Sequence, residues 1–217
     1  MKRATTQFEQ DYYGRYYPDY ERQNPPHKMR FYRLLTEQVV ADTPRPRLLD
    51  VGCAFGKFLS SANPAWERFG TDISQFAIEQ ARASCPDISF AVSTAADLPF
   101  DGGFDVITAF DVIEHVPSLE QVASAVRSRL LPQGHFIYVV PVYDGPTGPL
   151  IRLLDKDPTH IHKCSRDFWL KWTGSNFRLI DWWGIFRYWL PWGFYWHTPT
   201  KKLRRYTPAI AVIAQNQ

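Results

Sequence analysis

Between residues 47 and 142 short apolar runs alternate with helical segments, and this alternation restricts the fold more than any other feature of the chain. Strand-like runs fall at 47–51, 66–72, 88–92, 104–110 and 135–142, with helical segments near 56–62, 74–84 and 118–131. Ser74 and Ser118 stand where N-caps belong, and Gln121 follows Ser118 in capping-box spacing. A strand–helix–strand rhythm implies right-handed crossovers and a mainly parallel sheet covered on both faces. The expected class is therefore α/β, doubly wound.

The flanks are different. Residues 1–43 form a polar arm with Gly14, Pro18, Pro25 and Pro26 as helix breakers, then a helix over 30–41 with apolar positions at 31, 34, 35 and 39. After 142 come a Gly/Pro/His connection (143–164), a helix near 165–173, a strand near 177–185, an aromatic and basic insertion (186–205) and a last strand at about 207–214. At 217 residues this reads as one domain, 1–217, with arm and helix in 1–43, a core in 44–142 and a further side in 143–217. Three cysteines exclude a disulfide framework and suit a reducing compartment. The polar start carries no secretory pattern, so a cytoplasmic protein is expected. A net charge of +3 is too small to argue a nucleic-acid partner.

The first strand runs into Leu48-Leu49-Asp50-Val51-Gly52-Cys53-Ala54-Phe55-Gly56. Gly52 and Gly56 bracket a strand-to-helix turn, at the carboxyl-end crevice where open α/β sheets bind ligands. Position 54 is Ala, which breaks the dinucleotide pattern, and Gly56-Lys57 is followed by Phe58, not the Ser/Thr of a phosphate loop. Asp50 before the turn favours a cationic ligand. Asp72, in Gly70-Thr71-Asp72-Ile73-Ser74 at the tip of the second strand, is placed to accept from both hydroxyls of a ribose. The inferred ligand is a nucleoside with a positively charged appendage.

Further on stand Ala95-Ala96-Asp97-Leu98-Pro99-Phe100 and the run Phe104 to Val116, which holds Phe110-Asp111-Val112-Ile113-Glu114-His115. Together and in this order, over residues 47–142, these motifs resemble those of the class I S-adenosylmethionine-dependent methyltransferases. The resemblance implies a Rossmann-like, seven-stranded, mainly parallel sheet whose last strand inserts antiparallel beside the fifth. It implies S-adenosyl-L-methionine as cofactor, with Asp50, Gly52, Cys53 and Gly56 around the methionine end. Asp72 and Ile73 would stand at the ribose, and Phe110 and Asp111 at the sulfonium. Many relatives carry an adenine-binding acid where this chain has Thr94; the Thr94 hydroxyl or the backbone near Ala95 would substitute.

Asp111, Glu114 and His115 stand at i, i+3 and i+4, so they share one face of a helix start. His160 and His162 follow in Asp157-Pro-Thr-His-Ile-His162. Histidine suits proton removal near neutral pH, and His160 leads as general base, with His162 and His115 behind. Two readings of the cluster stay open. In one, Asp111, Glu114, His115 and His160 or His162 hold a divalent metal, as similar clusters do in some relatives. In the other, which is preferred, Glu114 and His115 position the loop without metal.

Aromatics make up 16% of the chain and gather at its ends. Tyr12, Tyr13 and Tyr16, with Tyr17 and Tyr20, are expected in a lid over the cofactor and substrate. Residues 186–206 hold eight aromatics and five basic residues, without an acid. A substrate-pocket wall ranks first for this segment, a subunit interface second and membrane-surface contact third. The expected activity is O-methylation of a hydroxyl on a small molecule or sugar, by a monomer or homodimer. N- or C-methylation and a non-catalytic cofactor-binding partner protein are the alternatives.

Overall fold

The computed structural model describes Gly14 and residues 19–146, 148–155, 157–190 and 194–217. Tyr12, Tyr13, Tyr16 and Tyr17 lie outside the described residues. Helix α1 (Tyr20–Gln23) is capped by the Asp19 side chain, which accepts from the Arg22 amide. Helix α2 (Pro26–Glu37) starts four residues before the expected helix, with Pro26 at its first position. The proline pair opens this helix and does not break it, because the first-turn amide has no intrahelical partner to lose. The buried face of α2 carries Lys28, Met29, Phe31, Tyr32, Leu35 and Thr36.

The core follows the expected rhythm. In order come β1 (Arg47–Val51), α3 (Lys57–Ser61), β2 (Glu67–Asp72), α4 (Gln75–Ser84), β3 (Ser89–Val92), β4 (Phe104–Phe110) and a 3₁₀ turn, Ile113–His115. There follow α5 (Leu119–Arg129), β5 (Leu130–Pro141), α6 (Gly148–Leu154), α7 (Arg166–Asn176), β6 (Arg178–Leu190), β7 (Phe194–Thr200) and β8 (Ala209–Gln215). Ser74 and Ser118 cap α4 and α5, accepting from the Ala77 and Gln121 amides. The strands form one sheet in the order β3-β2-β1-β4-β5-β8-β6-β7. The first five pair in parallel, and β8 pairs antiparallel with both β5 and β6.

Among the described residues the sheet has eight strands, one more than expected. Residues 186–205 are not an insertion beside the sheet. β6 runs on to Leu190 and the chain returns as β7, with Arg187 opposite His197 and Tyr188 opposite Trp196. Aromatic side chains fit a pleated surface, and such cross-strand pairs stabilise it; the Tyr188 and Trp196 rings lie 6.1 Å apart.

Alternation along each strand splits the core between the two faces. Leu49, Ile107, Phe136 and Tyr138 pack under α5 and α7. Leu48, Val106, Ile137 and Val139 pack under α2, α3 and α4. Trp169 is wholly buried, and Trp172 lies beside it. Both tryptophans thus belong to the core. No helix among the described residues is long and apolar enough to cross a membrane.

Candidate active site

The carboxyl ends of β1, β2 and β4 open into a cavity of about 360 Å³. Gly52 leaves β1 with φ +72°, and a Cβ there would run into the Val112 side chain, so the turn requires glycine. Gly56, at φ +75°, starts α3. One Asp72 oxygen accepts the Ala54 amide and the other the Ser74 amide, both at 2.9 Å. Asp72 therefore ties the glycine turn to the start of α4 and presents its carboxylate to the cavity. Asp50 is 3% exposed and accepts the Thr108 hydroxyl at 2.6 Å. Burial raises its carboxyl to about 7, against the Thr108 bond and with help from the charge on Asp72. A buried acid in this state calls for a cation beside it.

The other residues expected at the cofactor fall around the same cavity. Cys53, Ile73, Thr94, Ala95, Phe110 and Asp111 all line the cavity. Cys53 is buried and its thiol is pushed well up by that burial, so it packs and does not attack. Ser93 escaped the sequence reading. It also lines the cavity, and its buried hydroxyl has no partner among the described residues. Tyr20 and Asn24 close the cavity from α1 and the residue after it, and the Tyr20 ring sits 4.6 Å from that of Phe55. A carboxylate at the cation end, a second at the ribose position and an apolar clamp of Ile73, Val112 and Val122 fit S-adenosylmethionine.

Asp111, at φ +60°, holds a strained backbone position at the end of β4. Its side chain is ion-paired with Arg187 from β6, and Lys28 of α2 approaches its other oxygen to 4.0 Å. Tyr32 stacks on Phe110 at 4.1 Å. Lys28 and Tyr32 were not expected in the site, whereas Arg187 and Tyr195 fall in the 186–206 segment read first as a substrate-pocket wall. The signal for Arg187 was there: it is the one charged residue in the aromatic run from Trp182 to Trp196, and a charge in such a run must be buried with a partner.

The 3₁₀ turn carries the acid–histidine cluster. Glu114 is 1% exposed and neither of its carboxylate oxygens has a hydrogen-bond partner among the described residues. Burial, then the charge on Asp111, pushes its carboxyl well up. Its backbone carbonyl accepts the amides of Ile161 and His162, which pins the 157–162 loop onto the turn. Thr159 donates its hydroxyl to Asp157 at 2.6 Å and so accepts from His115 Nδ1 at 2.8 Å. The neutral His115 ring thus keeps its lone pair on Nε2. Burial, reinforced by the nearby His160, lowers His115 to about 4.

Of the three histidines, His115 lines the cavity. His160 lies behind it, ring centres 4.7 Å apart, with Nδ1 bonded to Asp155 at 2.9 Å. Burial pushes the Asp155 carboxyl up, but bonds from Lys163, Tyr143 and His160 outweigh it and hold it below the usual range. His162 donates through Nε2 to the Val116 carbonyl at 2.9 Å, a structural bond. The expected metal set is three-quarters assembled. Ligand atoms of Glu114, His115 and His160 lie within 4.8 Å of one another, while Asp111 turns to Arg187. The orphaned Glu114 carboxylate beside two imidazoles is a donor set that a divalent transition metal fits.

An open α/β sheet with an antiparallel strand beside the fifth, and acids at the tips of β1 and β2, defines a class I methyltransferase fold. Residues 20–188 match the methyltransferase-domain family, and the chain belongs to it, among the S-adenosylmethionine-dependent methyltransferases. Over 123 residues the chain is 31% identical to a ubiquinone biosynthesis O-methyltransferase of Ralstonia nicotianae, covering 52% of this chain and 51% of that protein. Over 50 residues it is 42% identical to a tRNA (guanine-N(7)-)-methyltransferase of Synechococcus elongatus, covering 22% and 24%. The chain thus spans about half the length of the first of these curated relatives and about a quarter of the second. Among solved structures, magnesium protoporphyrin IX methyltransferase from Synechocystis with bound SAH superposes with a TM-score of 0.68 at 17% identity, over 99% of this chain and 98% of that one. The PH0226 protein of Pyrococcus horikoshii gives 0.67 at 22% identity, over 96% and 99%.

Proposed function

We propose that this chain is a single-domain, cytoplasmic enzyme that transfers the methyl group of S-adenosylmethionine to a hydroxyl oxygen of a small molecule or sugar. The observation that carries the oxygen assignment is His115, a neutral imidazole at the cavity with its tautomer set by Thr159. An amine acceptor needs no such base. The hydroxyl oxygen attacks the methyl carbon in line, the carbon–sulfur bond breaks, and its electron pair stays on sulfur to give S-adenosylhomocysteine. The hydroxyl proton passes to His115. The chain's own part is to align the two reactants and exclude water. The three free thiols suit a reducing cytoplasm. The ubiquinone-pathway relative, an O-methyltransferase by name, agrees with an oxygen acceptor. The β6–β7 hairpin serves as a wall of the acceptor site, because Arg187 and His197 turn inward toward α2 and Asp111. Replacing His115 by Ala should lower turnover by about 10²–10⁴-fold with cofactor affinity kept; near-normal turnover would reject the role.

A second reading rests on the orphaned Glu114 carboxylate. Glu114, His115 and His160 would hold a divalent cation, which when bound would acidify the acceptor hydroxyl. EDTA should then abolish activity and Mn²⁺ or Mg²⁺ restore it; full activity in EDTA refutes this reading.

A further inference from the structure

One part of the cavity wall carries a cluster of charge. Lys28 and Tyr32 of α2 and Asp111 at the end of β4 line the cavity, and Arg187 of β6 and Tyr195 of β7 stand beside Asp111. Arg187 is ion-paired with Asp111 and also bonds the Tyr195 hydroxyl. Lys28 Nζ lies 4.0 Å from Asp111 and 3.0 Å from Asn24 Oδ1, and the residue is 7% exposed. Two buried cations thus face one carboxylate. A bound sulfonium adds a further positive charge. An uncompensated cation excess in a buried site is costly and calls for an anion.

A second observation is independent of charge. The Tyr32 hydroxyl has no partner among the described residues, although the residue is 1% exposed and lines the cavity. Its electrostatic neighbours are Asp111, Arg187 and Tyr195. Buried hydroxyls are almost always hydrogen-bonded, so this one is a donor awaiting an acceptor. A group that meets Lys28, Arg187 and the Tyr32 hydroxyl together is negative and made of oxygen.

We propose that the methyl acceptor carries an anionic oxygen group, a carboxylate or a phosphate, held by Arg187, Lys28 and the Tyr32 hydroxyl while a neighbouring hydroxyl is methylated. The assignment rests on the methyltransferase reading and narrows its substrate class to acids. Arg187 has five N–H donors in a fixed fork, enough to keep Asp111 and take the anion as well. A neutral analogue would leave the buried cations unmatched, and sites of that kind discriminate strongly.

The test loads the full chain with S-adenosylhomocysteine and titrates two matched pairs by calorimetry. The pairs are 4-hydroxybenzoate against 4-hydroxybenzamide, and phenyl phosphate against phenol. At least one anion should bind about tenfold tighter than its neutral partner, and the pair that does so identifies the group. The preference should vanish in Arg187→Gln and shrink in Lys28→Met. Tyr32→Phe, which keeps the ring stacked on Phe110, should weaken the anion several-fold and serves if Arg187→Gln does not fold. Equal binding of anion and neutral partner, no binding of either anion, or a preference that survives the substitutions overturns the proposal while the methyltransferase reading stands. Failure of the wild-type chain to bind S-adenosylhomocysteine overturns both.

Discussion

Asp50 and Asp72 stand at the tips of adjacent strands, and burial sets them different tasks. Asp72 holds two backbone amides and is expected at the ribose; if it takes that role, Asp72→Ala should weaken S-adenosylmethionine binding by about 1–3 kcal/mol in calorimetry. Unchanged affinity would sink the assignment. Asp50 titrates near 7 in the fold, against 3.8 for an ordinary aspartate. Below pH 4 both folded and unfolded chains hold this proton. Between 4 and 7 only the folded chain does, so the contribution of Asp50 to stability falls as pH rises, and the penalty is full above 7. Asp50→Asn should therefore melt above wild type at pH 8, by about 1–3 kcal/mol, and level with it near pH 4. The cofactor's ammonium group should expel the Asp50 proton. Binding near pH 6.5 should thus release protons, seen as a heat that changes with the ionisation enthalpy of the buffer. At this scale the sequence was legible where the signal is local, and it placed Asp50, Gly52, Asp72 and His115 at the cavity. It was silent where the contact is made by the fold. Arg187 and Asp111 lie 76 residues apart, and Lys28 reaches the site only because α2 packs on the sheet. His160 was favoured over His115 on its loop position, yet its ring is turned to Asp155.

At the scale of elements, the alternation of apolar runs and caps placed β1 to β5 and the helices between them, because each signal lies within one turn or one strand. β7 was missed because Phe194-Tyr195-Trp196 has no strict alternation, Pro191 and Gly193 stand just before it and Pro199 lies within it. At Gly184, β6 passes close to the 3₁₀ turn Arg204–Tyr206. A Cβ at Gly184 would stand 2.5 Å from Arg204 Cα and from Thr207 Oγ1. Gly184→Ala should accordingly cost about 1–3 kcal/mol in urea unfolding, through a forced shift of β6 against β8. A neutral effect would mean that this corner yields freely.

For the whole molecule, the sheet divides labour between its faces. Trp169 fills the face under α7, where the Tyr138 hydroxyl reaches its carbonyl at 3.2 Å. Trp169→Ala should cost about 3–5 kcal/mol of stability. Affinity for S-adenosylhomocysteine should be unchanged in the fraction that folds, since the cofactor cleft does not use that residue; a parallel loss of affinity would show the two faces to be coupled. Cofactor at a hundred times its dissociation constant should in turn stabilise the wild-type chain by about 2.7 kcal/mol. The position of β8 also bears on how the molecule is made. This strand follows every other in the chain, yet it lies between β5 and β6. On the ribosome the cofactor half can close early, while the apolar edge of β5 stays bare until roughly seventy more residues have been added. At about 5–20 residues per second that is several seconds of exposure. A chain cut before β8 should therefore leave the apolar edge of β5 bare and self-associate on concentration, which sedimentation would show.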